Sequence, residues 1–176
     1  MIRLSGVSPN EPMVKPMKPA EIDARAEQLL VRIFGSLGSV RLPVDMNKVA
    51  SICNLTIRQG DFADDDVEGA LDRSKRVIFL DRNISPADKR FVAAHEVAHL
   101  NLHDNVNTDL FHRSLLDHPG QNDREDQANQ FAAALLIPRK PLEMFWKTNK
   151  DIDILAHIFG VSENIMRSRL ERLKLL

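Results

Sequence analysis

The stretch that decides the fold runs from Ser85 to His103 and reads SPADKRFVAAHEVAHLNLH. Ser85 is an N-cap residue and Pro86 suits the first helical position, so a helix is expected to start there. Apolar residues follow at Phe91, Val92, Ala94, Val97, Ala98, Leu100 and Leu102, which carries the helix to about His103. Within it lies His95-Glu96-Val97-Ala98-His99, an HExxH pentapeptide. Residues four apart share one helix face, about 6 Å apart along the axis, so two imidazoles can aim at one ion. Glu96 is turned about 100° from His95 and reaches a water at such an ion rather than the ion itself. The apolar neighbours Ala94, Val97, Ala98 and Leu100 half-bury the motif, which is unusual for a polar helix face without a metal. The pattern is that of a Zn2+ site with Glu96 as the catalytic carboxylate.

A catalytic zinc site needs a third protein donor. His103 is nearest in sequence, but His95 and His103 stand about 12 Å apart along a continuous helix. No glycine breaks the helix at His99, so His103 is expected to cap the C-terminus or bond a backbone group. A second strong helix is expected from Asn122 or Asp123 to Ile137, ended by Pro138. Packed beside the first, it can present a carboxylate to the same ion. Glu125 and Asn129 share a face, Ala128 and Ala132 permit close approach, and Asn129 can orient a histidine from behind. Asp126, one position round the helix, is the rival donor.

Outward from these helices the chain is ordinary. It has 176 residues, a net charge of −1 and 43% apolar content, which fits a protein with a real core and no global field for nucleic acid or membrane. The single cysteine, Cys53, lies among apolar residues and reads as a small buried hydrophobe in a reducing compartment. No apolar run is long enough to span a membrane and the N-terminus lacks a signal-peptide core, so a cytoplasmic protein is expected. Residues 1–18, with Pro9, Pro12 and Pro16, read as a flexible arm, and residues 19–176 as one domain. Helices are expected over about 19–35, 43–53, 139–147, 151–159 and 162–173. LTIRQ reads as a strand, and EGALD with RVIFLD as a hairpin turning at Asp72 to Lys75. Residues 104–122 read as a long loop, in which His112, Arg113 and His118 are candidate oxyanion donors. The fold class is α+β: a mainly helical domain with a small antiparallel ribbon before the HExxH helix.

Three spaced motifs resemble the ImmA/IrrE family of metallopeptidases. RFVAAHEVAHLNLH (90–103) is similar to that family's HExxH block, EDQANQFAAALLIP (125–138) to its second helix, and FGVSENIMRSRLERLKLL (159–176) to its close. The resemblance covers about residues 20–176. It implies a gluzincin-like site with His95, His99 and Glu125 as zinc ligands and Glu96 as catalytic residue. It also implies a protein substrate, a helix-turn-helix transcriptional repressor, in stress-response, mobile-element or toxin–antitoxin-like systems. Gln127 departs from the pattern, since many relatives carry an acid there.

Two other readings stand beside the peptidase. The end of the chain, residues 150–176, has the helix–glycine–helix outline of a DNA reader, with Arg167, Arg169, Arg172 and Lys174 as phosphate contacts. Yet Ile165, Met166, Leu170 and Leu173 require a core, and Glu163 and Glu171 offset charge, so a hairpin packed on the peptidase core is preferred over direct nucleic-acid binding. The third reading is a metal-bound regulator with little turnover.

Overall fold

In a computed structural model of the chain, the described residues are 17–63, 67–103, 110–113 and 123–176, with the backbone alone described for 110–113. Helix α1 spans Pro19–Phe34 and is stopped by Gly35 at φ 81°. After a short 3-10 turn at Leu37–Ser39, α2 spans Met46–Ile52, capped by the Asp45 carboxylate on the N–H groups of Asn47 and Lys48. Three strands follow: β1 (Thr56–Gly60), β2 (Val67–Asp72) and β3 (Val77–Asp81). The HExxH helix, α3, is Pro86–Leu102. Then come β4 (Leu110–Arg113), α4 (Asp123–Leu136), α5 (Arg139–Thr148), α6 (Ile152–Phe159) and α7 (Glu163–Arg172).

The α+β expectation holds, and the sheet is larger than the ribbon read from sequence. Its strand order is β1-β3-β2-β4. The β2–β3 hairpin is antiparallel, as expected, with Leu71 opposite Ile78. To it are added β1, parallel to β3, and β4, antiparallel to β2. So residues 110–113, read from sequence as part of a loop, form a strand. The reason is non-local: β2 has a second edge whose backbone groups need partners, and a four-residue segment suffices to pair them.

Helix α3 is sandwiched. Its N-cap is local, with the Ser85 hydroxyl accepting from the Asp88 N–H and donating to the Asp88 carboxylate. One side lies on β2 and β3 and the other along α4. Ala93, Ala94 and Ala98 of α3 and Ala128 and Ala132 of α4 are all buried, and these small side chains let the helix axes approach closely. Gly69 does the same on the sheet side. A Cβ there would lie 2.3 Å from Val92 Cγ1, so only glycine lets β2 run this near α3. Burial all round explains why the helix is apolar about its histidines: the HExxH residues 95–99 are all buried.

Helix α7 packs on α4, and α6 packs on α7. Leu155, Phe159, Met166 and Leu170 are fully buried in the main core. Arg169 is also buried, and its guanidinium binds Asp23 of α1 at 2.8 Å and the main-chain oxygen of Ile137 at 3.2 Å. Arg172 donates to Gln130 of α4 at 2.7 Å, and Gln130 donates in turn to Asp23 and to the Pro19 oxygen. Of the four cations that a DNA reader would need, Arg169 is thus committed inside the protein and Arg172, though exposed, is bonded to Gln130. Among the described residues no helix is long and apolar enough to cross a membrane.

Candidate metal centre

Helix α3 brings His95 and His99 onto one face, with their Nε2 atoms 2.7 Å apart. From the first turn of α4, Glu125 meets both. One carboxylate oxygen is 3.1 Å from His95 Nε2 and the other is 3.5 Å from His99 Nε2. Among the described residues these three form the group able to share one ion, with all donor atoms within 4.8 Å of one another. Asp126, the rival donor, is not in it. Both histidines are fully buried, whereas the Glu125 side chain is 34% exposed, so the centre opens to solvent on the Glu125 side.

The electrostatics favour a cation. Burial, reinforced by the neighbouring His95 and His103, holds His99 down at about 3, so its imidazole is neutral at neutral pH. Burial alone would raise the Glu125 carboxyl, but hydrogen bonds from His95 and His99 outweigh it and hold the group well below the usual carboxylate range. With the Nε2 protons of His95 and His99 given up, the three groups would present three electron-pair donors to one point, an arrangement suited to a divalent ion. Tetrahedral donors about 2.0–2.1 Å from zinc lie about 3.3 Å from each other, close to the spacing seen here. The residues present fit zinc.

Glu96 lies on the same helix, fully buried, and burial together with the Glu125 charge raises its pKa well above the usual range, against the pull of Arg73 and Arg124. A carboxyl so placed can hold a proton near neutral pH. Asn129, one turn after Glu125, lies where the sequence put it: its amide oxygen accepts from His95 Nδ1 at 2.7 Å.

Against this geometry the comparisons are direct. The family model for peptidase M78, the IrrE N-terminal-like domain, matches residues 51–171. The chain belongs to this family. Uncharacterized immunity region protein 2 of Bacillus phage phi105 is 30% identical to this M78 chain over 90 residues, which are 51% of the chain and 56% of the phage protein. A solved structure described as a Mycobacterium tuberculosis transcriptional regulator matches with a TM-score of 0.64 at 18% identity, covering 86% of the chain and 46% of that protein. The chain spans about half the length of each of these relatives. The second likeness bears on the fold alone.

In this M78 chain other sequence readings fare differently. His103 is the C-cap residue of α3, but its side chain does not cap. It is buried and turned inward, with Nδ1 3.0 Å from His99 Nδ1 and Nε2 3.4 Å from Gln127 Oε1. Burial, then the charge of Arg124, lowers it to about 4. The carbonyls at the helix end are served instead by Arg73 of the β2–β3 turn, which donates to the oxygens of His99 at 2.9 Å and His103 at 3.4 Å. Arg73 carried no signal in the sequence beyond its place in a turn. For His103 a signal existed, because it repeats the four-residue step of HExxH. His112 and Arg113 lie on β4 with their side chains undescribed, and His118 lies outside the described residues.

Proposed function

We propose that the protein is a zinc-dependent endopeptidase, with His95, His99 and Glu125 as the ligands and Glu96 as the catalytic carboxylate. The observation that carries this is the convergence of two buried imidazoles and one partly exposed carboxylate from separate helices, beside a buried second carboxylate. When bound, zinc supplies Lewis acidity, polarising a carbonyl and lowering the pKa of a water towards about 7. With the metal bound, Glu96 would take the proton from the attacking water and return it to the leaving amine. Asn129 holds His95 with its Nδ1 protonated, which leaves Nε2 free to ligate.

The substrate we assign is a helix-turn-helix repressor, supported by membership in the M78 family and by the likeness to an immunity region protein. A regulator that binds such a repressor with little turnover is the second reading, compatible with the likeness to an immunity region protein. Incubating the zinc-loaded protein, and its Glu96→Ala form, with the repressor encoded beside it separates the two. Zinc-dependent cleavage by the first alone supports the peptidase. Binding without cleavage by either supports the regulator, and equal cleavage by both overturns the role of Glu96.

A further inference from the structure

His103 and Gln127 stand in line behind His99. His99 Nδ1 is 3.0 Å from His103 Nδ1, and His103 Nε2 is 3.4 Å from the amide oxygen of Gln127. A neutral imidazole has one donor nitrogen and one acceptor nitrogen, so each contact in this line constrains the next. The Gln127 oxygen only accepts, so His103 carries its proton on Nε2. That leaves His103 Nδ1 as an acceptor, and the facing Nδ1 of His99 must then be the donor. With its proton on Nδ1, His99 presents a bare lone pair at Nε2, toward His95 and Glu125.

We propose that His103 and Gln127 are positioning residues that fix His99 in its ligating tautomer. The inference rests on the metal reading of the site given above. The two halves of the centre then obey one rule by different means. Asn129 of α4 sets the tautomer of His95 directly, and Gln127 of α4 sets that of His99 through His103. Both amides come from the helix that supplies Glu125, so one helix contributes a donor and orients the other two. The buried position of all three histidines keeps water from substituting for the missing partner when one is removed.

The test uses the full chain and zinc alone, read by competition with a chromogenic chelator. Losing an orienting partner of a zinc-bound histidine typically weakens binding 10–100-fold. His103→Leu should show a loss of about that size. His103→Asn should recover most of it, because its amide oxygen sits at the same bond count as Nδ1 and can accept from His99, whereas a residue that only fills space gives no such recovery. Long-range 1H–15N spectra of the zinc-loaded protein should show His103 protonated on Nε2 and His99 on Nδ1. Wild-type affinity in His103→Leu, or His103 protonated on Nδ1, overturns the relay while leaving the metal site standing. Absence of zinc binding by the wild-type chain overturns both.

Discussion

Arg73 donates its guanidinium to the main-chain oxygen of His99 across 2.9 Å. The bond joins the tip of a β-hairpin to the last turn of α3, where the same oxygen also accepts from the His103 N–H at 3.1 Å. A charged donor is favourable at this end of the helix dipole as well. The sheet thus reaches the metal centre from below, through backbone rather than side chain.

Removing that contact should loosen the turn that carries His99. Arg73→Ala is expected to cost about 1.5–3 kcal/mol, the range for hydrogen bonds to charged groups. Urea unfolding of the metal-free chain measures it. Zinc affinity should fall in the same variant, since the ligand backbone is no longer held. An unchanged unfolding midpoint would remove Arg73 from the account.

The same turn has a pH signature. Asp72 accepts from Lys75 Nζ at 2.6 Å, from the Lys75 N–H at 2.8 Å and from the Ser74 hydroxyl at 2.7 Å. The Lys75 side chain is the main cause, and together these bonds outweigh burial and lower the carboxyl to about 2. In an unfolded chain the group titrates near 3.9, so the folded state gains stability from it above about pH 4 and loses that gain as pH falls towards 2. Because Lys75 is largely exposed, the gain should be about 1 kcal/mol. The stability difference between wild type and Asp72→Asn should therefore be present at pH 7 and shrink by pH 2.5. A constant difference would assign the effect to shape alone.

Gly69 offers a packing test. Alanine there places its Cβ 2.3 Å from Val92 Cγ1, inside any tolerable contact. Gly69→Ala should destabilise by about 1–3 kcal/mol, as overpacked cores do. Adding Val92→Ala should return part of that loss, which a double-mutant cycle by thermal unfolding reads directly. Strict additivity of the two changes would show that the strain lies elsewhere.

Zinc should also stabilise the fold it completes. With free zinc at about 100 times its Kd, linkage gives about 2.7 kcal/mol. EDTA should lower the melting temperature of the wild type and leave that of Glu125→Ala unchanged. Melting of Glu125→Ala with the full zinc-dependent shift would exclude Glu125 as a ligand.

Some of this was legible in residues 85–103 and 123–138 because their signals are local. Ser85 and Pro86 start one helix, Pro138 stops the other, and the His95–His99 step is set by helix geometry alone. Glu125 over Asp126 needed more, since the angle between α3 and α4 decides which carboxylate arrives. The β4 strand was hidden because Leu-Phe-His-Arg has no strand-like alternation, and its pairing depends on an edge some forty residues upstream. The parallel pairing of β1 with β3 is equally non-local. His103 was misjudged for a related reason. A histidine at a helix end normally serves the carbonyls there, but Arg73 arrives from a distant turn and frees the imidazole to turn inward.

Asp23 and Arg169 lie 146 residues apart in sequence and meet at 2.8 Å, with Gln130 and Arg172 beside them. Contacts of such separation form late, because a long loop must close before they return anything. While the protein is being synthesised, α3 and its two histidines emerge well before the segment that braces α4 from behind. The link from α7 to α1 and to the end of α4 therefore closes only once Arg169 has left the ribosome.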